Sequence, residues 1–518
     1  MNQNENLYLL IHSLSKSEKR YFKIYASHNS KQKNQVVLFN ALNNQKTYDE
    51  KKLKQRLKNS GFVQRLSSEK VYLFHLILKS LRFYQSEKNL SKQLKEKMND
   101  IQTLFERVLI KACYNLLSKT IKHAIEIEEH NTAIELLSLQ LRYIRHSVNF
   151  REVSKEKYSE VFALRNKYIE ILNQLDSLKN TSWKIYEAYS KYGKIEGEQA
   201  KKEIKQIANE LPKSETKLLS NESRAEYFYI KSIFAYLKRD IELSISYTLK
   251  SVASFNPDIY NRSEYLLRRY VTILNNLIVF QIKTNDFICA FESIKKMKGL
   301  NLRTGQSSIY IDSYKYLYAS LHELDIYISL GETTKIAQTL TLSVQYLEKY
   351  KKVLTAPSYN AVLFILARTY FILENFKKAL YYINRLDLID FDSFEKIQKL
   401  GLLNLITHYE LGNYELVASL SKRYKSEFLQ QKHNEKAILV FIDLFKLLQK
   451  VKSNKEQQTA ALLLAKKKAA KFIISVKSEE SDEDHFYSLA WLCAKIEKKT
   501  ILTSLIELNK EYMNTLVS

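Results

Sequence analysis

The sequence predicts an all-α protein, and three observations support that fold class. The 518 residues include only 8 glycines and 3 prolines, although these residue types normally make up about 12% of a chain and mark its turns. Apolar residues recur at helical spacing through most of the chain. Short turns with similar flanks recur in its second half. Together these features predict long helices joined by short connections that almost never need a positive φ.

Composition and length indicate a globular protein with several domains or one extended array. Hydrophobic residues make up 45% and charged residues 27% of the chain, which argues against wholesale disorder. Cys113, Cys289 and Cys493 lie far apart in apolar helical stretches and are predicted to be reduced core residues. The N-terminus has no basic residue before its short apolar run, and no apolar stretch is long enough to cross a bilayer. We therefore expect a cytoplasmic protein without a membrane span.

Positive charge is concentrated near the N-terminus. The formal net charge is +26, and residues 1–100 hold 20 Lys and Arg against 8 Asp and Glu, a net of +12 in the first fifth of the chain. A field of this sign attracts nucleic acid, acidic proteins or anionic lipid surfaces. Solubility alone is the alternative, although a uniform bias would not concentrate the charge in one segment.

The first hundred residues predict a compact, basic helical module. Ser15 and Glu18 have the spacing of a capping box and begin one helix. Thr47 and Glu50 repeat that spacing and begin a second helix, which is strongly basic. Gly61 is expected to end that helix in a left-handed conformation.

The helix that begins near Glu50 is the sharpest local candidate for a binding surface. Leu53 and Leu57 are predicted to face inward. The basic residues that would cover its remaining circumference or follow Gly61 are Lys51, Lys52, Lys54, Arg56, Lys58 and Arg65. A helix, a three-residue turn and a second helix match the spacing of a helix-turn-helix. Three interpretations remain open: a solvated face, contact with an anionic surface, and a module that reads DNA sequence.

The second helix of that arrangement argues against the last interpretation. From Val71 to Phe83 it is apolar on most sides, with a polar strip of His75, Lys79 and Arg82. Such a helix is predicted to be the buried centre of the module. A helix that enters a DNA groove would need polar side chains on the face it presents.

The rest of the chain divides further. Residues 101–215 predict long amphipathic helices, and Leu211–Ser214, which includes Pro212, is the best candidate for a break in mid-chain. Residues 216–450 carry repeats, and residues 451–518 are predicted to form a helical cap over the open end of the array. The full predicted organisation is residues 1–100, 101–215, 216–450 and 451–518.

Repeats appear as turns that separate pairs of amphipathic helices. The comparable turn residues are Asp240, Asp286, Glu332, Asn375 and Asn413, at steps of 46, 46, 43 and 38 residues. A single helix pair cannot bury its own apolar face, so neighbouring pairs must stack. Self-similarity at this interval is typical of a helical solenoid.

Two units resemble the tetratricopeptide repeat (TPR). Leu366 and Ala367 stand where that family has Leu-Gly, Tyr370 matches its next aromatic residue, and Phe376 and Ala379 match the Tyr and Ala of its second helix. Gly412 and Tyr414 match the family's Gly-x-Tyr turn. The resemblance implies a right-handed α-solenoid of antiparallel helix pairs that binds a protein or peptide on its concave surface. The N-terminal region also resembles the start of uncharacterised bacterial helical-repeat proteins, which implies no activity.

The sequence contains no motif that predicts catalysis. It lacks a Gly-rich phosphate loop, HExxH, CxxC and Gly-x-Ser-x-Gly. The acidic run at residues 479–484 lacks the alternating ligands and central glycine of a calcium loop. We expect no enzyme, no cofactor and no metal site.

The leading expectation is a non-enzymatic scaffold that binds a protein or peptide, with a basic N-terminal module for an anionic partner. The alternative is a nucleic-acid- or ribosome-associated factor, or a transcription regulator with an N-terminal DNA-binding module and ligand-sensing repeats. An enzyme with a non-local site is a third class. The sequence does not indicate an oligomeric state.

Overall fold

All regular elements in the described part of the chain are helices. The computed structural model describes residues 3–27, 33–86, 90–146, 155–192, 198–261, 263–302, 308–386, 394–430, 436–451, 454–473 and 486–517. This confirms the all-α class over those ranges. The acidic run at residues 479–484 lies outside them.

The chain forms two compact units. Unit 1 comprises Met1–Ile169 with Leu302–Gln306, and unit 2 comprises Glu170–Asn301 with Ser307–Ser518. The division falls within one continuous helix, α9 (Lys155–Tyr192). The predicted mid-chain break at residues 211–214 instead joins two helices of unit 2.

Unit 1 is a helical module built around a core of large apolar side chains. Phe22, Phe39, Leu73 and Ile77 are fully buried in that core, where α2, α3 and α5 pack against one another. Its helices before α9 are α1 Gln3–Ser13, α2 Lys16–Ser27, α3 Lys33–Asn43, α4 Glu50–Arg56, α5 Leu66–Ser86, α6 Leu90–Glu106, α7 Ile110–Glu126 and α8 His130–His146.

Local contacts confirm one of the two predicted capping boxes. The amide of Ser15 donates to Glu18 Oε2 at 2.8 Å, and the amide of Glu18 donates to Ser15 Oγ at 3.2 Å. At α4 the capping residue is Asp49, whose carboxylate accepts from the Lys52 amide at 3.0 Å. The prediction for Thr47 was therefore wrong by two residues, because Asp49 lies directly before the first helical residue and is itself a strong N-cap.

Two predictions for the α4–α5 region are also corrected. Helix α4 ends at Arg56, with Leu57 as its C-cap, and Gly61 does not have a positive φ. A turn in which the Ser60 amide donates to the Leu57 carbonyl takes the chain to a 3-10 turn at Val63–Arg65. Because α4 closes without a left-handed residue, Gly61 is not needed in that conformation.

Helix α5 is buried on one side only. Leu73 and Ile77 are fully buried, whereas Val71 is 47% and Phe83 is 46% exposed. The helix contacts α1, α2, α3 and α6, as predicted for a central helix, but the prediction that it is a buried helix is wrong for the face that carries Val71 and Phe83. Composition could not reveal this, since which face of an apolar helix is covered depends on the helices that pack against it.

Unit 2 continues from α9 as a series of helix pairs. Its other helices are α10 Glu198–Asn209, α11 Asn221–Leu237, α12 Ile241–Ala253, α13 Pro257–Tyr260, α14 Glu264–Lys283, α15 Phe287–Lys298, α16 Ile309–Asp312, α17 Ala319–Leu330, α18 Thr333–Tyr350, α19 Ala356–Ile372, α20 Phe376–Ile383, α21 Phe394–Glu410, α22 Tyr414–Gln430, α23 Lys436–Lys450, α24 Lys455–Ile473, α25 Phe486–Glu497 and α26 Ile501–Val517. A π-helical segment, Ser313–Tyr318, joins α16 to α17.

Successive pairs pack on one another along the chain. Helices α11 and α12 pack together, as do α14 and α15, α17 and α18, α19 and α20, and α21 and α22. Each second helix also contacts the first helix of the next pair, as α12 contacts α14. We call α11, α14, α17, α19 and α21 the first helices.

The predicted repeat turns share one backbone geometry. Asp240, Asp286, Glu332, Asn375 and Asn413 each follow a residue with positive φ, and each donates its amide to the carbonyl five residues earlier at 2.8–3.0 Å. Two hydrogen bonds define a Schellman turn, and this one spans the larger number of residues. The residues aligned by their sequence pattern are therefore structurally equivalent.

The expectation that positive φ would be almost absent was wrong. Eight described residues have it, and six of them are not glycine: Val108, Glu128, Arg239, Asn285, Glu374 and Lys498, with Gly331 and Gly412 completing the set. A left-handed non-glycine residue costs about 1–2 kcal/mol. The scarcity of glycine reflects this tolerance, and not a fold without left-handed turns.

The C-terminal helices do not form a simple end cap. Helix α25 contacts α21, and α26 contacts α17, which lies several helices earlier in the chain. Nine consecutive residues of α25, from Phe486 to Ala494, are buried. A helix that is apolar on all sides must be covered on all sides, so α25 packs within unit 2.

Candidate functional site

Each unit carries a candidate binding surface. In unit 1, Leu53 on α4 and its C-cap Leu57 are buried, and the six basic residues predicted to form a patch are exposed on α4 and in the turn that follows it: Lys51, Lys52, Lys54, Arg56, Lys58 and Arg65. We call these six residues the α4 patch. The N-cap at Asp49 and the buried Leu53 orient the helix so that the basic side chains face solvent.

The α4 patch is partly compensated by local acids. Lys52 Nζ lies 3.6 Å from Asp49 Oδ2, and Lys54 Nζ lies 3.7 Å from Glu50 Oε1. Both lysines are more than half exposed, and ion pairs of this kind are worth about 0–1 kcal/mol. The other four patch residues have no ion pair within the described residues, so they are the cations most available to an anionic partner.

A buried lysine secures α4 to α5, and sequence reasoning missed it. Lys70 is 3% exposed and donates to Tyr48 Oη and to Glu50 Oε2, both at 2.9 Å. Tyr48 also donates to Glu50 Oε2 at 2.6 Å. The hydrogen bonds from Tyr48 and Lys70 lower the pKa of Glu50. This cluster is structural, because its donors are used within the fold.

In unit 2, polar contacts link neighbouring first helices. Arg269 on α14 makes a two-point ion pair with Glu226 on α11, with N–O distances of 2.7 and 2.8 Å. The Arg269 guanidinium also lies 4.2 Å from the centre of the Tyr229 ring. Two-point pairing fixes the relative position of the two helices more closely than a single contact would.

A second set of contacts lies beside the first. Tyr265 Oη donates to Glu222 Oε1 at 3.0 Å, and Lys179 Nζ lies 3.4 Å from the same carboxylate oxygen. The Tyr265 side chain remains 52% exposed. Burial, followed by the charge of Glu222, raises the pKa of Tyr265, so its hydroxyl stays protonated and able to donate.

A tyrosine stack continues this surface onto the third pair. The ring centres of Tyr310 and Tyr314 are 5.2 Å apart, and those of Tyr314 and Tyr318 are 4.5 Å apart. Tyr314 and Tyr318 stack within the π-helical segment, a rare geometry that occurs often at functional sites, and the Tyr310 ring on α16 is tilted against Tyr314. Burial, with Tyr310 adding to it, raises the pKa of Tyr314 above the usual range.

Together these side chains, which lie on the first helices α11 and α14 and on the adjoining α9, α16 and π-helical segment, form what we call the first-helix surface, defined by Lys179, Glu222, Glu226, Tyr229, Tyr265, Arg268, Arg269, Tyr310, Tyr314 and Tyr318. Its cations are paired with carboxylates, including Arg268 with Glu264 at 2.6 Å. Glu222 and Glu226 are buried and the four tyrosines other than Tyr265 are partly buried, so the exposed part of this surface is mainly Tyr265 and Arg268 and has no strong net charge. That combination suits an extended peptide better than a polyanion.

One sequence signal would have revealed these contacts. Partners on adjacent first helices are separated by nearly the repeat step: Glu226 and Arg269 by 43 residues, and Asn275 and His322 by 47. Asp325 and Arg368 are also separated by 43 residues. Scanning for opposite charges at the repeat interval would have found two of these three pairs.

The later first helices are covered by the C-terminal helices. Trp491 Nε1 and Lys495 Nζ on α25 donate to the two carboxylate oxygens of Glu410, at 2.6 and 2.8 Å. Glu374 Oε1 accepts from the amide of Ile501 on α26 at 3.0 Å. The side chains of the first-helix surface lie away from these contacts, on α9, α11, α14, α16 and the π-helical segment.

The residues that resemble the TPR signature are mainly packing residues. Leu366, Ala367 and Ala379 are fully buried, and the rings of Tyr370 and Tyr382 stack with their centres 5.5 Å apart. Phe376 contacts Phe371 edge to face at 5.6 Å. These residues hold α19 against α20.

The second matching turn is more open. Gly412 has φ 78°, with no side chain or backbone close to the position a Cβ would occupy. Tyr414 is 40% exposed, and its ring packs edge to face on Tyr409 at 5.5 Å.

Comparisons with known proteins add no further assignment: no protein-family model matches this chain, and no curated protein matches it in sequence. Among the described residues, no group of three or more His, Cys, Asp or Glu is placed to hold a metal ion. No helix in the described ranges is long and apolar enough to cross a membrane.

Proposed function

We propose that this protein is a non-enzymatic scaffold whose helix pairs form a right-handed, TPR-like α-solenoid and bind an extended peptide or protein segment. The observation that carries the proposal is the repeated helix pair with a common left-handed turn and polar contacts between equivalent first helices. In arrays of this type the first helices line the concave side. The first-helix surface is the binding region we propose.

The chemistry of that surface supports a peptide ligand. Extended peptides present backbone carbonyls and amides at regular intervals, which Tyr hydroxyls can bind, and aromatic faces give large contact area at low entropic cost. Tyr265 and Arg268 are the most exposed of the named side chains, at 52% and 47%. Helices α25 and α26 cover the later pairs, so a partner would bind to the earlier ones.

The basic module of unit 1 has a different proposed role. The α4 patch, with four cations free of described ion pairs, supports contact with an anionic partner. The same observation favours the second candidate function, a nucleic-acid- or ribosome-associated factor. In that case unit 2 would regulate or position the complex.

A peptide-display selection against the full chain tests the leading proposal. We expect selected peptides to lose about tenfold or more in affinity with Tyr265→Ala, since central aromatic contacts often contribute more than 1.4 kcal/mol. The matched control is Tyr381→Ala, because Tyr381 is 56% exposed but lies on the second helix α20. Affinity is measured by isothermal titration calorimetry.

The controls separate the possible outcomes. Equal losses for both variants would show that the first-helix surface has no special role. A selection that enriches no peptide above background would contradict the peptide-binding proposal. Circular dichroism of both variants checks that the helical content is unchanged.

A further inference from the structure

A second basic surface of unit 1 combines cations with exposed aromatic and aliphatic side chains. It lies where α2 packs against the C-terminal half of α5. No Asp or Glu occurs in residues 19–27 or 71–84. Arg20, Lys23, Lys79 and Arg82 are all exposed there. This surface is separate from the α4 patch in sequence and lacks the local carboxylates that pair with Lys52 and Lys54.

Aromatic rings of the same two segments pair across α2 and α5, while Lys23 Nζ lies 5.9 Å from the centre of the Phe39 ring on α3. Tyr21 and Tyr84 have ring centres 5.0 Å apart, and Tyr25 and Phe83 have ring centres 5.7 Å apart. Both pairs bridge α2 and α5. Phe83 is 46% exposed, and the neighbouring Ile24 is 48% exposed. We call the four aromatic residues and the four cations together the α2–α5 surface.

We propose that the α2–α5 surface binds single-stranded nucleic acid. This inference rests on the proposed anionic-partner role of unit 1 and names the partner class. Proteins that bind single strands without sequence preference combine a basic surface for the phosphates with aromatic side chains on which bases stack. The α2–α5 surface supplies both, and no carboxylate in its two segments opposes the phosphates.

The aromatic component distinguishes this partner from two others. A duplex keeps its bases stacked inside, so an exposed ring such as that of Phe83 would gain little from it. An anionic membrane would also attract the cations, but it favours a continuous apolar face beside them. Here Arg20 and Lys23 lie within one helical turn of Tyr21, and Arg82 directly precedes Phe83 in the sequence.

The test uses the full chain and a fluorescein-labelled 20-nucleotide oligo(dT), with binding followed by fluorescence anisotropy. If all four cations contact phosphates, the affinity should fall about 50-fold between 50 and 200 mM salt, a log–log slope of about −2.8. Lys79→Gln with Arg82→Gln should reduce that slope to about −1.4, because each phosphate contact on a single strand contributes about 0.7.

A ring-removal variant tests stacking. Phe83→Leu keeps an apolar side chain but removes the ring, and should weaken binding about fivefold or more. The matched control is Trp183→Leu, since Trp183 is 60% exposed and belongs to an aromatic pair with Tyr186 in unit 2. That variant should leave the affinity unchanged. Circular dichroism and the thermal midpoint confirm that each variant folds.

Three results would overturn the inference: no oligo(dT) binding at 50 mM salt, equal affinity for a duplex of the same length with no effect of Phe83→Leu, or binding only to anionic vesicles. Peptide binding by unit 2 is measured on the same preparations, so a failure here leaves that proposal standing. Retention on heparin without oligo(dT) binding would preserve the anionic-partner role and exclude this partner class.

Discussion

Single residues set the geometry of the repeat turns, and most of them do so without glycine. Lys498 has φ 53° at the α25–α26 turn and is exposed. Among the described residues, the Lys498 side chain makes no contact that would compensate for this strained backbone conformation. Glu374 has φ 58° but also binds the Ile501 amide. The two positions therefore share a backbone conformation and differ in what the side chain contributes.

We predict that Lys498→Gly stabilises unit 2 by about 0.5–1 kcal/mol, because relief of left-handed strain exceeds the entropy gained by the unfolded chain. Glu374→Gly should give no gain, since it also removes a charged acceptor whose hydrogen bond is worth about 1.5–3 kcal/mol. Urea unfolding followed by the fluorescence of the buried Trp491 measures both. Equal stabilisation would show that the Glu374 contact is energetically neutral.

Burial of His322 makes part of the stability depend on pH. Desolvation lowers its pKa to about 4, and its Nε2 lies 2.8 Å from Asn275 Oδ1. The unfolded side chain titrates near 6.5, so between these values the unfolded state binds more protons and stability falls as pH falls. Burial lowers the pKa of His408 in the same direction.

We predict that the lowered pKa of His322 reduces the free energy of unfolding by about 2 kcal/mol when the pH falls from 7 to 5. His322→Gln keeps a hydrogen-bond donor for Asn275 and removes the titration. The loss of thermal midpoint over this pH range should therefore be smaller in the variant than in the natural protein. Equal losses would place the pH dependence elsewhere.

At the scale of elements, the position of α25 and α26 decides which surfaces remain available. Helix α26 lies close enough to the α17–α18 turn that a Cβ on Gly331 would meet Ile506 Cδ1 at 2.6 Å. This contact and the Glu374–Ile501 bond both join α26 to turns of earlier pairs. An end cap would instead contact mainly the last pair.

We predict that removing residues 499–518 increases hydrogen exchange in α17, because α26 covers its C-terminal end. Exchange in α12 serves as the internal control and should not change. The point variant Leu505→Asp, at a residue 7% exposed, should act in the same direction without a truncation. Faster exchange confined to α23 and α24 would support the end-cap arrangement.

At the scale of the whole molecule, the net charge of +26 acts partly as a long-range field and partly through local patches. Variants that change the net charge by the same amount, one in the α4 patch and one elsewhere, separate these two contributions. Lys51 and Arg56 belong to the α4 patch, whereas Lys202 and Lys205 are exposed on α10 of unit 2. Lys54 is a poor choice, since its replacement by Glu would place a second carboxylate beside Glu50.

We predict that Lys51→Glu with Arg56→Glu elutes from heparin at clearly lower salt than Lys202→Glu with Lys205→Glu, although both lower the net charge by the same amount. Heparin chromatography in a salt gradient measures the difference. Identical elution would mean that only the overall charge matters and that the α4 patch is a solvated face.

Much of this molecule follows from local sequence. The all-α class, the Ser15–Glu18 cap and the equivalence of Asp240, Asp286 and Asn375 depend on interactions within a few residues, which a linear pattern records. The exposure of the basic side chains on α4 was also predictable, because the apolar spacing of Leu53 and Leu57 determines which side of a short helix faces inward. The errors at Thr47 and Gly61 are local ones at helix ends.

Only the tertiary structure decided the features that depend on distant parts of the chain. Three examples are the pairing of Arg269 with Glu226, the burial of Lys70 against Glu50 and the packing of α26 on α17. The residues that meet in these contacts are separated in the sequence by between 20 and more than 100 positions. The exposure of Phe83 was likewise undetermined, since an apolar helix has the same sequence whether one face or all faces are covered. Local backbone preferences specify elements, whereas the free energy of burial selects among the many ways to pack them.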